Sequence, residues 1–332
     1  MKILVIQKKL MGDVLVCSVV FRLLKERFPN AELHYLIDEK YLQVVDNHRF
    51  IDKFLFFDKD IFKTIALVRK EKYDVVIDTY SKIETALISL FSKAKKRISY
   101  HKSYTQFFYT HPIHRKKIAV SKLTTSTIEH RLQLLEPLGI DFKITKPEIF
   151  ITEQEKTNGQ NILKKYTSQS SKKVMISTFG SSPEKTYPLP YMAKIIEEIA
   201  ETENVELLLN YLPHQKEMLQ ELFSILSEKA NSKIAKDFDT KNLREYISVL
   251  SFCDGLVGNE GGSTNISKAL GVPTFTVFSP FIAKESWNWF DDGIKNISVH
   301  LHDYIPENQS YQDFKPEFFQ DELRKFILNN LK

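Results

Sequence analysis

Cysteine is nearly absent from this chain. Its 332 residues include only Cys17 and Cys253, far apart and each inside an apolar stretch (VLVCSVV and SVLSFCDGLV). That excludes a disulfide framework and a thiolate metal site, and it fits a reducing compartment. No stretch approaches the roughly 18 uncharged apolar residues that a membrane-spanning helix needs. The amino-terminal MKILVIQKKLMGDVLVCSVVF has the outline of a secretory leader, but Gln7, Lys8, Lys9 and Asp13 interrupt its apolar runs and no small-residue cleavage site follows. A cytosolic chain is therefore expected. Acidic residues are missing from one long segment: between Thr85 and Ile128 there is no Asp or Glu.

What is present is ordinary globular composition, 42% hydrophobic and 27% charged, which excludes disordered and collagen-like classes and has the length of about two domains. The net charge of +5 is modest for a dedicated nucleic-acid binder. It is also local. The acid-free segment holds nine cations (Lys93, Lys95, Lys96, Arg97, Lys102, Arg115, Lys116, Lys117 and Lys122), so the rest of the chain stands at −4. Tyr100, Tyr104, Phe107, Phe108 and Tyr109 are interleaved with them.

Short apolar runs alternate with longer helical patterns, the signature of parallel βαβ units. The pattern predicts a strand over 1–6, a helix over 14–28, a strand over 31–37, a helix over 60–71, a strand over 74–78 and, after a less regular stretch, a helix over 128–138 ended by Gly139. The polar segment 151–172, a helix-like stretch followed by TSQSSKK, reads as a connection between domains. The rhythm then restarts, with strands over 173–177, 205–209, 255–257 and 274–278 and helices over 191–202, 214–229, 243–251 and 263–270. The expected division is an N-terminal domain over 1–155, a second over 172–305, and a C-terminal helix within 306–332 open to packing on either half, including back on the N-terminal domain.

Three loops fall at strand ends, where open parallel sheets bind ligands. The first, QKKLMGDV, carries Gly12 and Asp13 but no dinucleotide fingerprint. Asp13 stands where a carboxylate caps a helix or takes part in chemistry, and spacing leaves both open. The second, ISTFGSSPEKTYP, offers amides, the Ser181 and Ser182 hydroxyls and the Lys185 charge to phosphate oxygens, or is a polar turn; its spacing is not that of a P-loop. The third, VGNEGGSTNISKALGVPTFTVFSP, places Glu260, Gly261 and Gly262 before a helix opened by Ser263 and Thr264. Free amides and a positive helix end suit a diphosphate, and a tight turn is the plainer alternative.

In this order the three segments resemble glycosyltransferase family 9, the lipopolysaccharide heptosyltransferases, over roughly residues 1–290. The resemblance implies an α/β fold of GT-B type, two Rossmann-like domains with parallel sheets facing a central cleft, acceptor on the first and nucleotide sugar on the second. Carried over residue by residue, Asp13 falls on the family's general base and Lys185 on its phosphate-binding lysine. Ser181, Ser182, Glu260, Gly261, Gly262, Ser263, Thr264 and Asn265 fall in the donor region. Glu260 and Asn265 stand where family members often carry Asp and His, which puts the donor sugar in question.

The resemblance further implies an inverting, metal-independent transfer without a cofactor, from a nucleotide sugar such as ADP-heptose to an anionic glycolipid. No DxD carboxylate pair lies in a suitable loop. Such an acceptor fits the basic aromatic segment, with Gly12, Lys95, Lys96, Arg97 and Lys102 as candidate contacts, and an enzyme peripheral to the inner face of the cytoplasmic membrane. Two other classes remain open from the sequence: a nucleotide-sugar-binding protein without transfer activity, and a nucleic-acid-binding protein using residues 85–128. The second leaves the Gly-Gly and Lys185 loops without a purpose, so no nucleic-acid partner is expected.

Overall fold

The computed structural model describes residues 1–116, 123–307 and 310–332. Lys117 and Lys122 of the acid-free segment lie outside the described residues. The chain divides into two compact units, Met1–Phe150 and Ile151–Lys332.

Among the described residues, the first unit builds a six-stranded, all-parallel sheet from β1 (Lys2–Ile6), β2 (Glu32–Ile37), β3 (Lys53–Phe56), β4 (Val75–Asp78), β5 (Lys96–Tyr100) and β6 (His111–Ile113), in the order β3-β2-β1-β4-β5-β6. A parallel sheet is covered on both faces, and β1 accordingly reads as one apolar run. Tyr35 points to the face carrying α1 (Met11–Cys17) and α2 (Val19–Arg27), where its ring meets Phe21 and its hydroxyl donates to the Val14 carbonyl at 2.9 Å. Leu4, Ile6 and Leu36 point to the other face, covered by α3 (Ile61–Glu71) and α4 (Ile83–Phe91) through Val68 and Ile88. The single helix expected over 14–28 is interrupted at Ser18, whose hydroxyl donates to the Leu15 carbonyl at 2.7 Å and competes with the helical ladder. α5 (Ser126–Gln133) follows, and a short 3-10 turn, Glu136–Leu138, is closed by left-handed Gly139 (φ 68°).

The second unit begins in the segment read as a connection. Residues Glu153–Tyr166 form α6, capped by Thr152, whose hydroxyl accepts the Glu155 amide. It packs on α10 (Leu243–Leu250), with Arg244 bridging Glu155 at 2.7 Å, and a Cβ on Gly159 would lie 2.4 Å from Ser248 Oγ, a close approach that only glycine permits. The segment looked polar because just Gly159 and Leu163 are buried.

Among the described residues this unit has five parallel strands, β7 (Lys172–Ser177), β8 (Val205–Asn210), β9 (Gly255–Asn259), β10 (Thr274–Phe278) and β11 (Asn296–His300), ordered β11-β10-β9-β7-β8. Between them run α7 (Leu189–Ala200), α8 (Lys216–Ile225), α9 (Glu228–Lys233), α11 (Gly262–Leu270) and α12 (Lys284–Trp287). The last helix, α13 (Gln320–Asn330), belongs to this second unit: Leu323, Phe326 and Ile327 join its core, and Arg324 pairs with Glu198. In both units the strand order reverses beside the first strand. The loops after β1 and β4, and after β7 and β9, therefore diverge and leave a crevice.

Candidate functional site

In the first unit that crevice is a pocket of about 460 Å³ at the carboxyl ends of β1, β4 and β5. Its walls include Gln7, Lys9, Leu10, Asp13, Thr79, Tyr80, Tyr100, Arg115, His130 and Arg131. The two strand ends are clamped together, since the Thr79 hydroxyl donates to Gln7 Oε1 at 2.6 Å. The loop after β4 is shaped by buried Asp78, whose Oδ1 accepts the Tyr80 and Ser81 amides at 2.9 Å and whose Oδ2 accepts the Tyr109 hydroxyl at 2.7 Å. Burial pushes the Asp78 carboxyl up, against those hydrogen bonds.

Asp13 is the third residue of α1 rather than its cap. Its Oδ2 lies 3.4 Å from the Leu10 amide, and its Oδ1 is ion-paired with the Arg131 guanidinium of α5. Burial opposes charge on Arg131, but Tyr100, Asp13 and Cys17 around it outweigh that and its pKa is raised. Arg115 lies over the Tyr100 ring at 4.0 Å. Burial, and next the Arg115 charge, lower the pKa of His130. The pocket thus sets one carboxylate among Lys9, Arg115 and Arg131.

Of the sequence-expected residues on this unit, Gly12 is in α1 beside Asp13, and Lys102 donates to the Ser81 carbonyl at 2.7 Å. Burial, followed by Arg115, lowers the pKa of Lys102. Lys95, Lys96 and Arg97 are not brought to the pocket. They stand at the amino end of β5, where the Arg97 guanidinium is bonded to the Phe108 and Ala94 carbonyls and Lys96 to the Pro137 carbonyl. Sequence reasoning missed Arg131 and His130, and named Tyr100 only among the aromatics of the acid-free segment. Tyr100 alone had a local signal, as the last residue of an apolar run before His101-Lys102.

In the second unit the crevice after β7 and β9 joins the other two loops. Asn259, at the end of β9, donates to the Ser177 and Thr178 carbonyls at 3.0 and 2.9 Å and accepts the Tyr187 amide at 2.7 Å. The loop between is folded tightly: the Gly180 amide donates to Thr186 Oγ1 at 3.1 Å, which donates to the Ser182 carbonyl at 2.9 Å. Lys185 is exposed and its charge reaches Glu260, as does that of Lys268; burial raises the Glu260 pKa and both cations lower it.

Gly261 supplies no cap to α11, so the first-turn amides of Gly262, Ser263 and Thr264 are available to an anion. Ser263 Oγ accepts from Asn210 at 3.0 Å. The Asn265 side chain is engaged internally, donating to the Gly261 carbonyl at 3.2 Å and accepting Trp289 Nε1 at 2.8 Å. Ser181 is exposed, and the Ser182 hydroxyl lies 3.0 Å from Glu184.

Among the described residues, His and carboxylates converge with metal-ligand spacing at Glu32, His34 and Glu71. That group lies at the amino ends of the strands, away from the pocket. Lys53 and Lys2 bond the Glu71 carboxylate and hold it down at about 2, so cations already fill the place of a metal.

The sequence model of glycosyltransferase family 9 (heptosyltransferase) matches residues 61–304. A lipopolysaccharide heptosyltransferase 1 of Campylobacter coli is 25% identical over 302 residues, 84% of this chain and 84% of that protein. A lipooligosaccharide heptosyltransferase 2 of Campylobacter jejuni subsp. jejuni serotype O:6 is 22% identical over 342 residues, covering 98% and 99%. Among solved structures, a family 9 glycosyl transferase from Veillonella parvula has a TM-score of 0.81 at 17% identity, covering 98% of this chain and 97% of that one. E. coli ADP-heptose lps heptosyltransferase II has a TM-score of 0.76 at 17% identity, covering 99% of both. These likenesses show the GT-B fold. The chain belongs to glycosyltransferase family 9 and is a glycosyltransferase.

Proposed function

We propose that the chain transfers heptose from ADP-heptose to an anionic lipopolysaccharide-core acceptor, by one inverting displacement and without a metal. The observation that carries this reading is the pocket in which Asp13 stands among Lys9, Arg115 and Arg131, at the strand ends of the unit to which the family resemblance assigns the acceptor. Cations around one carboxylate suit an anionic saccharide whose hydroxyl must lose a proton. Asp13 takes that proton as the acceptor oxygen bonds to the anomeric carbon. The anomeric carbon's bond to the diphosphate oxygen breaks, and ADP leaves.

The charge developing on the leaving diphosphate falls to Lys185, the Ser181 and Ser182 hydroxyls and the open first turn of α11, with Gly261, Gly262, Ser263 and Thr264. Fixed dipoles and a lysine there take the part a metal plays elsewhere. Glu260 accepts hydrogen bonds from the donor sugar's hydroxyls, and Asn265 supports the turn beneath. The relatives named as heptosyltransferases support heptose as the transferred group. The enzyme would work at the inner face of the cytoplasmic membrane, where such an acceptor is made.

The test is incubation with ADP-heptose and a heptose-free lipid A–core acceptor, with and without EDTA. Acceptor mass should rise by one heptose, with inverted anomeric configuration and no loss of rate in EDTA. Retained configuration or EDTA-sensitive transfer overturns the mechanism. Because Glu260 and Asn265 depart from the family's Asp and His, other nucleotide sugars are run in parallel, and turnover with one of them alone would reassign the donor.

A further inference from the structure

One buried donor in the second unit has no acceptor. Tyr311 opens the 3-10 turn Tyr311–Asp313, is 8% exposed, and its hydroxyl finds no hydrogen-bond partner among the described residues. A buried hydroxyl left unpaired is costly, so its surroundings must account for it. The ring itself is fixed. It packs edge-on to Tyr187 at 5.4 Å, within the core that α13 also joins. Tyr187 gives its amide to Asn259 at 2.7 Å, and Asn259 is the residue before Glu260.

Ser279, just after β10, faces the Tyr311 hydroxyl but is occupied. Its Oγ donates to the Glu184 carbonyl at 3.2 Å and accepts the Phe281 amide at 3.4 Å. The charge that acts on the hydroxyl is that of Glu260. Burial, and next that charge, push the Tyr311 pKa up, so the group stays protonated and able to donate. Glu260 has the complementary lack. Its carboxylate feels the charges of Lys185 and of Lys268 on α11, but no hydrogen bond to a described residue holds it.

We infer that Tyr311 is a positioning residue for the donor sugar: its hydroxyl donates to the Glu260 carboxylate, aims it and keeps it charged as a hydrogen-bond acceptor. One unmet group is a donor and the other an acceptor, and pairing them removes both deficits. The two lysines supply charge, whereas a hydroxyl on a packed ring also supplies direction. The inference rests on the donor role given to Glu260 above. A hydrogen bond to the ionised form lowers a carboxyl's pKa, so removing the hydroxyl raises it. A carboxylate that reads the sugar only when charged would then lose the donor at a higher pH.

The experiment titrates Glu260 in the full chain by carboxyl carbon-13 NMR of glutamate-labelled protein, its signal identified by its loss in Glu260→Gln. In Tyr311→Phe the midpoint should rise by about one pH unit, the size expected for one hydrogen bond to a charged group. By calorimetry, Tyr311→Phe should bind ADP-heptose as the parent does above both midpoints and about tenfold more weakly below them. ADP, which lacks the transferable sugar, should bind both proteins alike. In a Glu260→Gln background the Tyr311 substitution should change nothing, whereas a packing role would weaken both nucleotides in either background. An unmoved midpoint overturns the inference, as does a moved midpoint without any change in ADP-heptose affinity. If Glu260→Gln binds ADP-heptose as tightly as the parent, the donor role of Glu260 fails and the inference falls with it. A loss in Glu260→Gln beside an unmoved midpoint in Tyr311→Phe removes Tyr311 alone.

Discussion

The Asp13 carboxylate is ion-paired with the Arg131 guanidinium from 118 residues further along the chain, and Arg131 is the more buried of the two (8% against 24% side-chain exposure). The pair fixes the direction of the proposed base, and it gives Asp13 two roles that substitution can separate. Asp13→Asn keeps an oxygen for the guanidinium and removes the basic group. Turnover should fall by roughly 10²- to 10⁴-fold. Stability should fall by about 1–3 kcal/mol, because a hydrogen bond to Arg131 survives while its buried charge loses its counter-charge. Chemical denaturation beside initial rates checks both, and an unimpaired rate removes Asp13 from the reaction.

Arg131 is then a positioning residue. Arg131→Met leaves Asp13 without its partner, and loss of a buried partner costs about 3 kcal/mol of stability. Arg131→Lys restores charge but not the fork that also donates to the Thr127 carbonyl. Turnover should therefore rank parent, Lys, Met, with nucleotide affinity equal in all three. A change in ADP affinity, measured by calorimetry, would contradict a role confined to the first unit's pocket.

The second unit's loop offers a charge test and a shape test. Lys185 is exposed and bonds nothing through its side chain among the described residues, so Lys185→Ala should leave folding intact and weaken ADP binding by about 1.5–3 kcal/mol. Gly180→Ala should do more. Its Cβ would sit 2.2 Å from the Lys185 carbonyl oxygen, so the whole turn must move. ADP binding should fall at least as far as in Lys185→Ala, with a lower melting temperature. Equal ADP affinity in parent and Lys185→Ala reduces the loop to a turn.

Much of this arrangement was legible in the sequence where the signal was local. Apolar runs marked β1, β4, β7 and β10, and the Gly-Gly and Gly-Ser-Ser loops fell at strand ends as read. The helix pattern of 14–28 hid the break at Ser18, because a serine hydroxyl turning back on its own helix leaves no mark in periodicity. The acid-free segment was visible as charge, but not that β5 runs through it and sets Lys96 and Tyr100 at opposite ends of one strand. Arg131 was illegible for a different reason: its role depends on tertiary pairing with Asp13, and no spacing encodes that.

Lys268, in the last turn of α11, gives a pH test. It is 1% exposed, donates to Asn288 Oδ1 at 3.1 Å and to the Trp289 carbonyl at 2.9 Å, and burial pushes its ammonium down to about 8 from 10.5. With the folded value below the unfolded one, the unfolded chain holds a proton between these limits that the folded chain has released. Stability from this group is therefore full above the unfolded value, and it is lost as pH falls through about 8. Lys268→Met abolishes the titration. Urea denaturation of parent and variant at about pH 7.5 and about pH 10 should show their stability difference moving in the parent's favour by about 2 kcal/mol at the higher pH. Other titrating groups are common to both proteins and cancel. A difference that does not change with pH would mean that Lys268 keeps its proton in the folded chain, held by its two oxygen acceptors against the desolvation that surrounds it.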